Sequence, residues 1–288
     1  MTGDVRARIS AWLVFAGLLA IIPLTAACGG SPPGPQASPP VQSYDQATLA
    51  LQPVLYLSMR AGTADFEPDL SYHLSGGTYS PAGATRRSVR LPNGEDAAQF
   101  SGSSSLIVPS APALSIGHSG SLTVEAWINP ATLGFNRVES SGYVQWLGKG
   151  APSEYEYALR MYSEGNTEGR DNRISGYAFN LRGGKGSGAY FQDPLQAGAW
   201  IMIAVEFDIT SSDGFPSGWV AIFKDGVLRK KVGLDQFGVV PRPGPAPFSV
   251  GTVNGHSFFQ GSIAKVAVFD RPLSSADILA QYHAMVGQ

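Results

Sequence analysis

Short stretches in which apolar and polar residues alternate, closed by glycine, proline or asparagine, recur along most of the chain. The stretch 122–128 (Leu-Thr-Val-Glu-Ala-Trp-Ile) ends at Asn129 and has the period of two that is typical of a half-buried strand. Comparable stretches lie at 54–57, 105–108, 157–161, 177–181, 200–207, 219–223 and 266–269. Many short strands with turns between them predict an all-β sandwich or barrel rather than alternating strands and helices.

A tight hairpin is predicted around residue 225. The pair Asp225-Gly226 supplies the positive backbone dihedrals that a type I′ turn requires. We therefore expect the flanking stretches 219–223 and 227–232 to pair as antiparallel strands.

The only helix that the sequence predicts lies at the C-terminus. Ser274 and Asp277 have the spacing of a capping box, and Leu273 and Ile278 flank it as a hydrophobic staple. An apolar stripe that packs on the sheet is predicted from the residues that follow: Ile278, Leu279, Tyr282 and Met285.

The composition agrees with a β-rich folded domain. Hydrophobic residues make up 43% of the 288 residues and charged residues only 15%, while 35 glycines and 21 prolines supply many turns. The formal net charge is −2, and the basic run 229–231 is too short to indicate a nucleic-acid-binding surface. We therefore expect no nucleic-acid partner.

The N-terminal segment has the layout of an export signal. Arg6 and Arg8 precede an apolar stretch at 11–23, and the small residues 25–27 (Thr-Ala-Ala) stand directly before Cys28. This order is typical of a secretory signal peptide, which we predict over residues 1–27.

Residues 24–28 (Leu-Thr-Ala-Ala-Cys) resemble the lipobox of bacterial lipoproteins, in which the cysteine is lipidated and becomes the new N-terminus. The resemblance implies that Cys28, the only cysteine, is a lipidation site and that the protein is extracytoplasmic, anchored to the bacterial cell membrane by that lipid. Plain secretion and an uncleaved membrane anchor are the alternatives. Pro23 interrupts the apolar stretch, which disfavours the anchor because a span needs about 20 apolar residues.

A linker and one domain are predicted after the signal peptide. Residues 28–43 are rich in proline, glycine and serine, a composition that favours an extended tether. Residues 44–288 show no further break in composition, so we expect them to form a single domain.

Four motifs resemble the laminin-G-like, concanavalin A-like jelly rolls found in many bacterial surface proteins. They are residues 98–102 (Ala-Gln-Phe-Ser-Gly), the strand 122–130 that ends in Asn-Pro, the Asp-Gly hairpin 220–227 and the closing segment 261–274. The resemblance implies an all-β jelly-roll sandwich of two curved antiparallel sheets with a short C-terminal helix. It also implies a structural, packing role for Trp127.

The same resemblance raises the question of calcium. Members of the family that bind calcium use an acidic residue near the start of the domain and another in the closing strand. Asp69 matches the first position, but Ala264 stands where many relatives carry aspartate. The expectation is therefore no cofactor, with a calcium ion held through Asp69 as the alternative.

Catalysis is the least supported activity. Laminarinases, which share this architecture, carry three acids in the pattern Glu-x-Asp-x-x-Glu; Glu206-Phe207-Asp208 begins that pattern, but Ser211 replaces its last acid. We expect Glu206 and Asp208 to lie on the exposed face of a strand whose Val205 and Phe207 pack inward. The sequence predicts a noncatalytic protein.

A polar loop and its neighbouring aromatic residues are the candidate ligand-binding site. The loop 163–173 contains Asp171, Asn172 and Arg173, which can make directional hydrogen bonds to sugar hydroxyls. Tyr155, Tyr162 and Tyr190 are the candidate stacking platforms.

Core packing is the alternative for the aromatic residues within strands. By parity, Tyr157 shares a face with Leu159, and Tyr177 shares one with Phe179; we expect these faces to be core. The predicted function is a surface-anchored lipoprotein with a noncatalytic module that binds carbohydrate. The alternatives are a protein-binding adhesion or assembly module, whose partner is a surface protein, and, with less support, a glycoside hydrolase or lyase.

Overall fold

The computed structural model describes residues 42–84 and 86–288, so the predicted signal peptide, Cys28 and nearly all of the predicted linker 28–43 lie outside the described residues. The helices in the described part are α1 (Tyr44–Ala50), α2 (Ile116–Ser119) and α3 (Ser275–Val286), with 3-10 turns at Pro112–Leu114 and Leu234–Phe237. The strands are β1 (Leu55–Leu57), β2 (Phe66–Glu67), β3 (Gly77–Ser80), β4 (Ser88–Arg90), β5 (Asp96–Ser101), β6 (Ser105–Val108), β7 (Ser121–Pro130), β8 (Tyr143–Lys149), β9 (Tyr157–Tyr162), β10 (Arg173–Ala178), β11 (Ser187–Gln192), β12 (Ile201–Asp208), β13 (Trp219–Lys224), β14 (Val227–Gly233), β15 (Phe248–Val250) and β16 (Gln260–Phe269).

The strands form two antiparallel sheets of eight strands each. Sheet one has the order β14-β13-β12-β7-β16-β5-β4, with β1 also paired to β16. Sheet two has the order β11-β10-β9-β8-β15-β6-β3-β2. This architecture, with α3 at the C-terminus, confirms the predicted all-β sandwich.

The core lies between the two sheets and is filled by alternate residues of the facing strands. Phe207 on β12 packs against Tyr157 on β9, with ring centroids 5.3 Å apart. Val205 on β12 faces Gly176 on β10 so closely that a β-carbon on Gly176 would lie 2.4 Å from Cγ1 of Val205. The sheets meet here at a distance that only glycine allows.

The outer face of sheet one is also covered, by helices α1 and α3. Trp127 on β7 stacks on Tyr282 of α3 at 5.8 Å and meets Tyr44 of α1 edge-on at 6.3 Å. Trp127 is 1% exposed, which agrees with the predicted packing role. The central strands of sheet one are therefore buried on both faces.

Helix α1 is missing from the sequence prediction. Ser43 and Gln46 cap it reciprocally, which is the capping-box pattern that also begins α3. Asp45 in α1 accepts a hydrogen bond from Lys265 of β16 at 2.6 Å, and Thr48 accepts one from Gln281 of α3 at 3.2 Å. These contacts make α1 part of the folded domain.

The predicted hairpin and C-terminal helix are confirmed. Lys224 pairs with Val227, and the two turn residues Asp225 and Gly226 have φ angles of 52° and 79°. Ser274 and Asp277 form the predicted capping box of α3. Three stripe residues of α3 face the sheet as predicted, whereas Leu279 is 38% exposed. None of the helices described is long and apolar enough to span a bilayer.

Candidate functional site

The outer face of sheet two, on the side away from α1 and α3, is where polar and aromatic side chains gather. In the strand register, Gln145 of β8 is opposite Arg160 of β9, Arg160 is opposite Ser175 of β10, and Ser175 is opposite Tyr190 of β11. Residues directly opposite each other across paired strands point to the same face. The outer aromatic face is defined here as Tyr143, Gln145, Tyr155, Arg160, Tyr162, Arg173, Ser175, Tyr177, Phe179 and Tyr190.

Arg160 lies at the centre of this face among three aromatic rings. Its Cζ atom is 4.4 Å from the Tyr143 ring centroid and 4.9 Å from the centroids of both Tyr177 and Phe179. Cations at such distances are attracted by the negative faces of aromatic rings. Among the residues that the structure describes, nothing accepts a hydrogen bond from the Arg160 side chain, and no carboxylate pairs with it. The guanidinium is held in place by rings alone.

Tyr190 forms a second centre towards the edge of the sheet. Arg173 Cζ and Lys230 Nζ each lie 4.0 Å from its ring centroid. Arg173 is fixed by two hydrogen bonds that its Nε and Nη2 donate to Oε1 of Gln192, at 3.1 and 2.8 Å. This end of the face therefore carries two cations on one half-buried tyrosine.

Tyr162 is in the same face but is not an open platform. It is 2% exposed, and its hydroxyl accepts a hydrogen bond from Nη1 of Arg170 at 2.9 Å. Arg170 also pairs with Glu168 in the loop between β9 and β10. Tyr162 supports the loop and the neighbouring ring of Tyr143, whose centroid is 5.4 Å away.

Tyr155 lies at the opposite end of the face from Tyr190. Its ring packs on Phe179 at 5.8 Å, and Phe179 stacks on Tyr177 at 6.1 Å. Burial raises the pKa of the Tyr155 hydroxyl, and the nearby Glu139 carboxylate adds to that rise. Tyr155 and Tyr177 are half-buried, so each presents part of its ring to solvent.

The predicted loop residues have different roles. Oδ1 of Asp171 accepts hydrogen bonds from the Gly165 backbone and the Asn166 side chain, both at 2.9 Å, so Asp171 closes the loop on itself. Asn172 has a φ of 62°, and its buried Oδ1 has no hydrogen-bond partner among the described residues. Arg173, which follows at the start of β10, is the loop residue that reaches the aromatic face.

Three buried polar atoms in one row of the face have no hydrogen-bond partner within the described chain: Gln145 Oε1, Arg160 Nε and Ser175 Oγ. Gln145 is 3% exposed and Ser175 is fully buried. A buried polar group without a partner costs about 1–3 kcal/mol, so native proteins rarely leave one unsatisfied. Because these atoms are themselves buried, they form a polar row beneath the partly exposed rings of the face.

The sequence identified only part of this face. The structure brings Tyr162, Arg173 and Tyr190 together and places Tyr155 at the far end. The prediction that Tyr177 is a core residue is wrong, because it is half-buried on the outer face; Phe179 is buried as predicted, but in a small separate cluster with Ala158 and Val253 rather than between the sheets. The residues that the sequence analysis missed are Tyr143, Gln145, Arg160, Ser175 and Lys230.

The residue predicted to bind calcium, Asp69, is buried, and the loop 70–74 folds around its carboxylate. Its Oδ1 accepts the backbone N–H of Tyr56 at 2.8 Å, and its Oδ2 accepts that of Leu74 at 2.7 Å; Ser71 donates to both oxygens. Within the part of the chain that the structure describes, no group of three or more acidic, histidine or cysteine side chains could hold a metal. Calcium binding stays a prediction, while the role seen for Asp69 is to fix the loop.

The prediction that Glu206 and Asp208 lie on an exposed face is wrong. They are 4% and 7% exposed: the segment between β16 and α3 contacts Glu206, and the loop that follows β12 folds onto Asp208. Glu206 Oε1 accepts the Leu273 backbone N–H at 2.9 Å, and burial raises the pKa of Glu206 to about 7. Asp208 accepts hydrogen bonds from Thr210 and Ser212. Val205 and Phe207 point into the core as predicted.

A pocket of about 280 Å³ beside Glu206 is also lined by Trp219 and Lys231. Lys231 Nζ lies 3.4 Å from the Trp219 ring centroid and pairs with Asp213 at 2.5 Å. The indole is covered by this ion pair and is only 3% exposed. Trp219 therefore offers no free surface on which a sugar could stack.

Comparison with solved structures identifies similar folds. The chain resembles the receptor-binding domain of botulinum neurotoxin type G (TM-score 0.55, 13% identity, 80% of this chain and 51% of that one). It also resembles the serotype D ligand-binding domain, solved with N-acetylneuraminic acid (TM-score 0.55, 13% identity, 82% and 52%). Domain 4 of the arabinanase AbnA from Geobacillus stearothermophilus, solved with arabinotriose, matches with a TM-score of 0.50 and 16% identity, over 77% of this chain and 99% of that one.

These likenesses are of fold. The chain spans about half the length of the toxin domains that it matches. No curated protein sequence matches it. A sequence profile described as the concanavalin A-like lectin/glucanases superfamily matches residues 93–279, from the turn before β5 into α3. With that match over most of the sandwich, the chain belongs to the concanavalin A-like lectin/glucanase superfamily.

Proposed function

We propose that the protein is a noncatalytic carbohydrate-binding module and that the outer aromatic face is its binding site. The observation that carries the proposal is the set of half-buried tyrosine rings on this face beside the half-buried guanidinium groups of Arg160 and Arg173. A sugar presents C–H groups that pack on aromatic rings and hydroxyls that both donate and accept hydrogen bonds. The face therefore offers both kinds of contact that a sugar needs.

Two of the similar folds support this reading of the face. One toxin binding domain was solved with N-acetylneuraminic acid and the arabinanase domain with arabinotriose. Because one architecture hosts many unrelated functions, the fold raises the expectation of a saccharide ligand, and the side chains of the face carry the argument.

The environment of Glu206 and Asp208 supports a noncatalytic role. Each carboxylate is buried and accepts hydrogen bonds from neighbouring protein groups. Glycosidases need two carboxyl groups that reach a scissile bond from opposite sides, about 5 to 9.5 Å apart in an open cleft. On β12, Glu206 is covered instead by the segment that leads to α3, and Asp208 by the loop after the strand.

We further propose that the module is carried by a lipoprotein at the bacterial cell surface, anchored through Cys28. The support is the order of basic, apolar and small residues before this cysteine. Diacylation is sufficient for stable attachment, since a single acyl chain holds a protein only marginally. Mass spectrometry of the N-terminal peptide from membranes would identify the lipid, and an unmodified Cys28 would overturn this part of the proposal.

A glycan array tests the binding proposal. We expect the purified protein to bind one class of saccharide and Tyr177→Ala to abolish that binding. Tyr72→Ala is the matched control, because Tyr72 is 88% exposed in a loop outside the face. Running the array with calcium and with EDTA tests the calcium prediction in the same experiment.

Two results would contradict the proposal. If Tyr177→Ala and Tyr72→Ala lost binding equally, the loss would not identify the outer aromatic face as the binding site. Absence of binding to any saccharide would favour the alternative, a surface protein as partner, and crosslinking on intact cells would then be the next experiment.

A further inference from the structure

Resting on the proposed function, we infer that the sugar bound by the outer aromatic face carries a carboxylate, which pairs with Arg160. The ligand class is an acidic oligosaccharide, built from carboxylated sugars such as uronic or sialic acids.

The cations of the face lack the partners that cations elsewhere in the protein have. Arg160 has neither an ion pair nor a hydrogen-bond acceptor, and Lys230 has no ion pair, within the described residues. Arg173 donates only to the neutral Gln192. By contrast, Arg229, next to Lys230 in sequence, forms a two-bonded pair with Asp193 at 2.6 and 3.0 Å. Within the described residues, no carboxylate therefore forms an ion pair with any of these three cations.

The geometry around Arg160 suits a carboxylate. A guanidinium is a planar fork of donors that matches the two oxygens of a carboxylate, and such bidentate pairs are the strong, directional ones. Rings of Tyr143, Tyr177 and Phe179 hold the Arg160 group in place before any ligand arrives. Its Nε is buried without an acceptor. The half-buried guanidinium as a whole has no ion pair among the described residues, which favours an anionic ligand over a neutral one.

The spacing of the face suits more than one sugar unit. Arg160 and Tyr190 are opposite the same residue, Ser175, on the strand between them, so they are separated by about 10 Å, twice the distance between neighbouring strands. Arg173 and Lys230 lie on the ring of Tyr190 at that second point. Cationic groups at both points favour a short oligosaccharide with repeated carboxylates over a single charged sugar unit.

The test compares trigalacturonic acid with its methyl ester, a pair that differs only at the carboxyl groups, where esterification removes the charge and adds a methyl group. Calorimetry on the purified protein is expected to give at least about tenfold tighter binding for the acid, equivalent to one decade in Kd. The preference should shrink as salt is raised from about 0.05 to 0.5 M, because exposed ion pairs are screened. Arg160→Gln should remove most of the preference, and Lys230→Gln should reduce it.

The control variant is Arg87→Gln, because Arg87 is exposed beside β4 on sheet one, and it should leave both affinities unchanged. Melting curves identify any variant that fails to fold; Lys230→Gln, at the edge of the sheet, keeps the inference testable if Arg160→Gln does not fold.

The possible failures are distinguishable. Equal affinity for acid and ester, or equal weakening of both by Arg160→Gln, would overturn the acidic-sugar inference and leave carbohydrate binding intact. Binding of arabinotriose but neither galacturonate form would do the same. If no acidic or neutral saccharide binds, the inference and the proposed function both fail.

Discussion

Lys149 and Glu156 form an ion pair in which both side chains are 1% exposed, with Nζ 2.5 Å from Oε1. The pair joins the end of β8 to the residue before β9. Further hydrogen bonds hold it: Glu156 also accepts from Ser115 and from the Gly244 backbone, and Lys149 also donates to the Gly244 carbonyl. Four separate segments therefore converge on two buried charges at one end of sheet two.

Removing one charge of this pair should strongly destabilise the fold. We expect Lys149→Met to lower the free energy of unfolding by about 3–5 kcal/mol, because it leaves the Glu156 carboxylate buried without its counter-ion. Lys231→Met removes a more exposed pair with Asp213 and should cost no more than about 1 kcal/mol. Denaturant unfolding of both variants measures the two losses of unfolding free energy. Losses of similar size would contradict the conclusion that the buried pair stabilises the fold more than the exposed one.

The stability of the domain should decrease as pH rises from acid to mildly basic values. Burial raises the pKa of Glu125 to about 8, and the Glu206 and Asp277 carboxylates add to the rise. Between the unfolded value of about 4.5 and the folded value of about 8, the folded protein holds a proton that the unfolded chain has released, so raising pH favours unfolding.

Glu125→Gln should remove much of this pH dependence. We expect the variant to be clearly more stable than the wild type at about pH 8.5 and much less different at about pH 4.5, since the amide cannot ionise. Glu164→Gln, at an exposed loop position, is the control and should follow the wild type. Thermal melts across this pH range measure the effect; a gain from Glu125→Gln that is constant with pH would show that charge is not its cause.

The close approach of the two sheets at Gly176 predicts a sharp steric effect. Gly176→Ala places a methyl group against Val205, whose branched side chain has little freedom to move, and should cost about 1–3 kcal/mol of stability. At Gly134, by contrast, an added β-carbon meets nothing within 4 Å, so Gly134→Ala should be nearly neutral. If chemical unfolding gave Gly176→Ala and Gly134→Ala the same free energy of unfolding, the two sheets would be able to move apart at little cost in free energy.

The sequence predicts the hairpin and the C-terminal helix well, because residues close together in the chain determine both. The turn at Asp225-Gly226 and the cap at Ser274 depend on residues within a few positions of each other. Helix α1 carries a similar cap at Ser43, but it is only seven residues long, and its stability comes from contacts with β16 and α3 that no local pattern reveals.

The candidate site was harder to predict because alternation shows which residues share a face but not what covers that face. Glu206 was expected in solvent and is buried under the segment before α3, while Tyr177 was expected in the core and lies on the outside. Alternation along β9 does predict which side chains point outward. Tyr157, Leu159 and Met161 share one face, and Ala158, Arg160 and Tyr162 share the other. Once Tyr157 is known to be core, Arg160 must point outward.

Helix α1 sits on sheet one, and the outer aromatic face belongs to sheet two, so the chain enters the domain on the side opposite the proposed site. The ion pair between Asp45 and Lys265 links α1 to β16, a central strand of sheet one. For the proposed lipoprotein, a force along the chain before α1 would reach sheet one before the strands of sheet two that carry the proposed site.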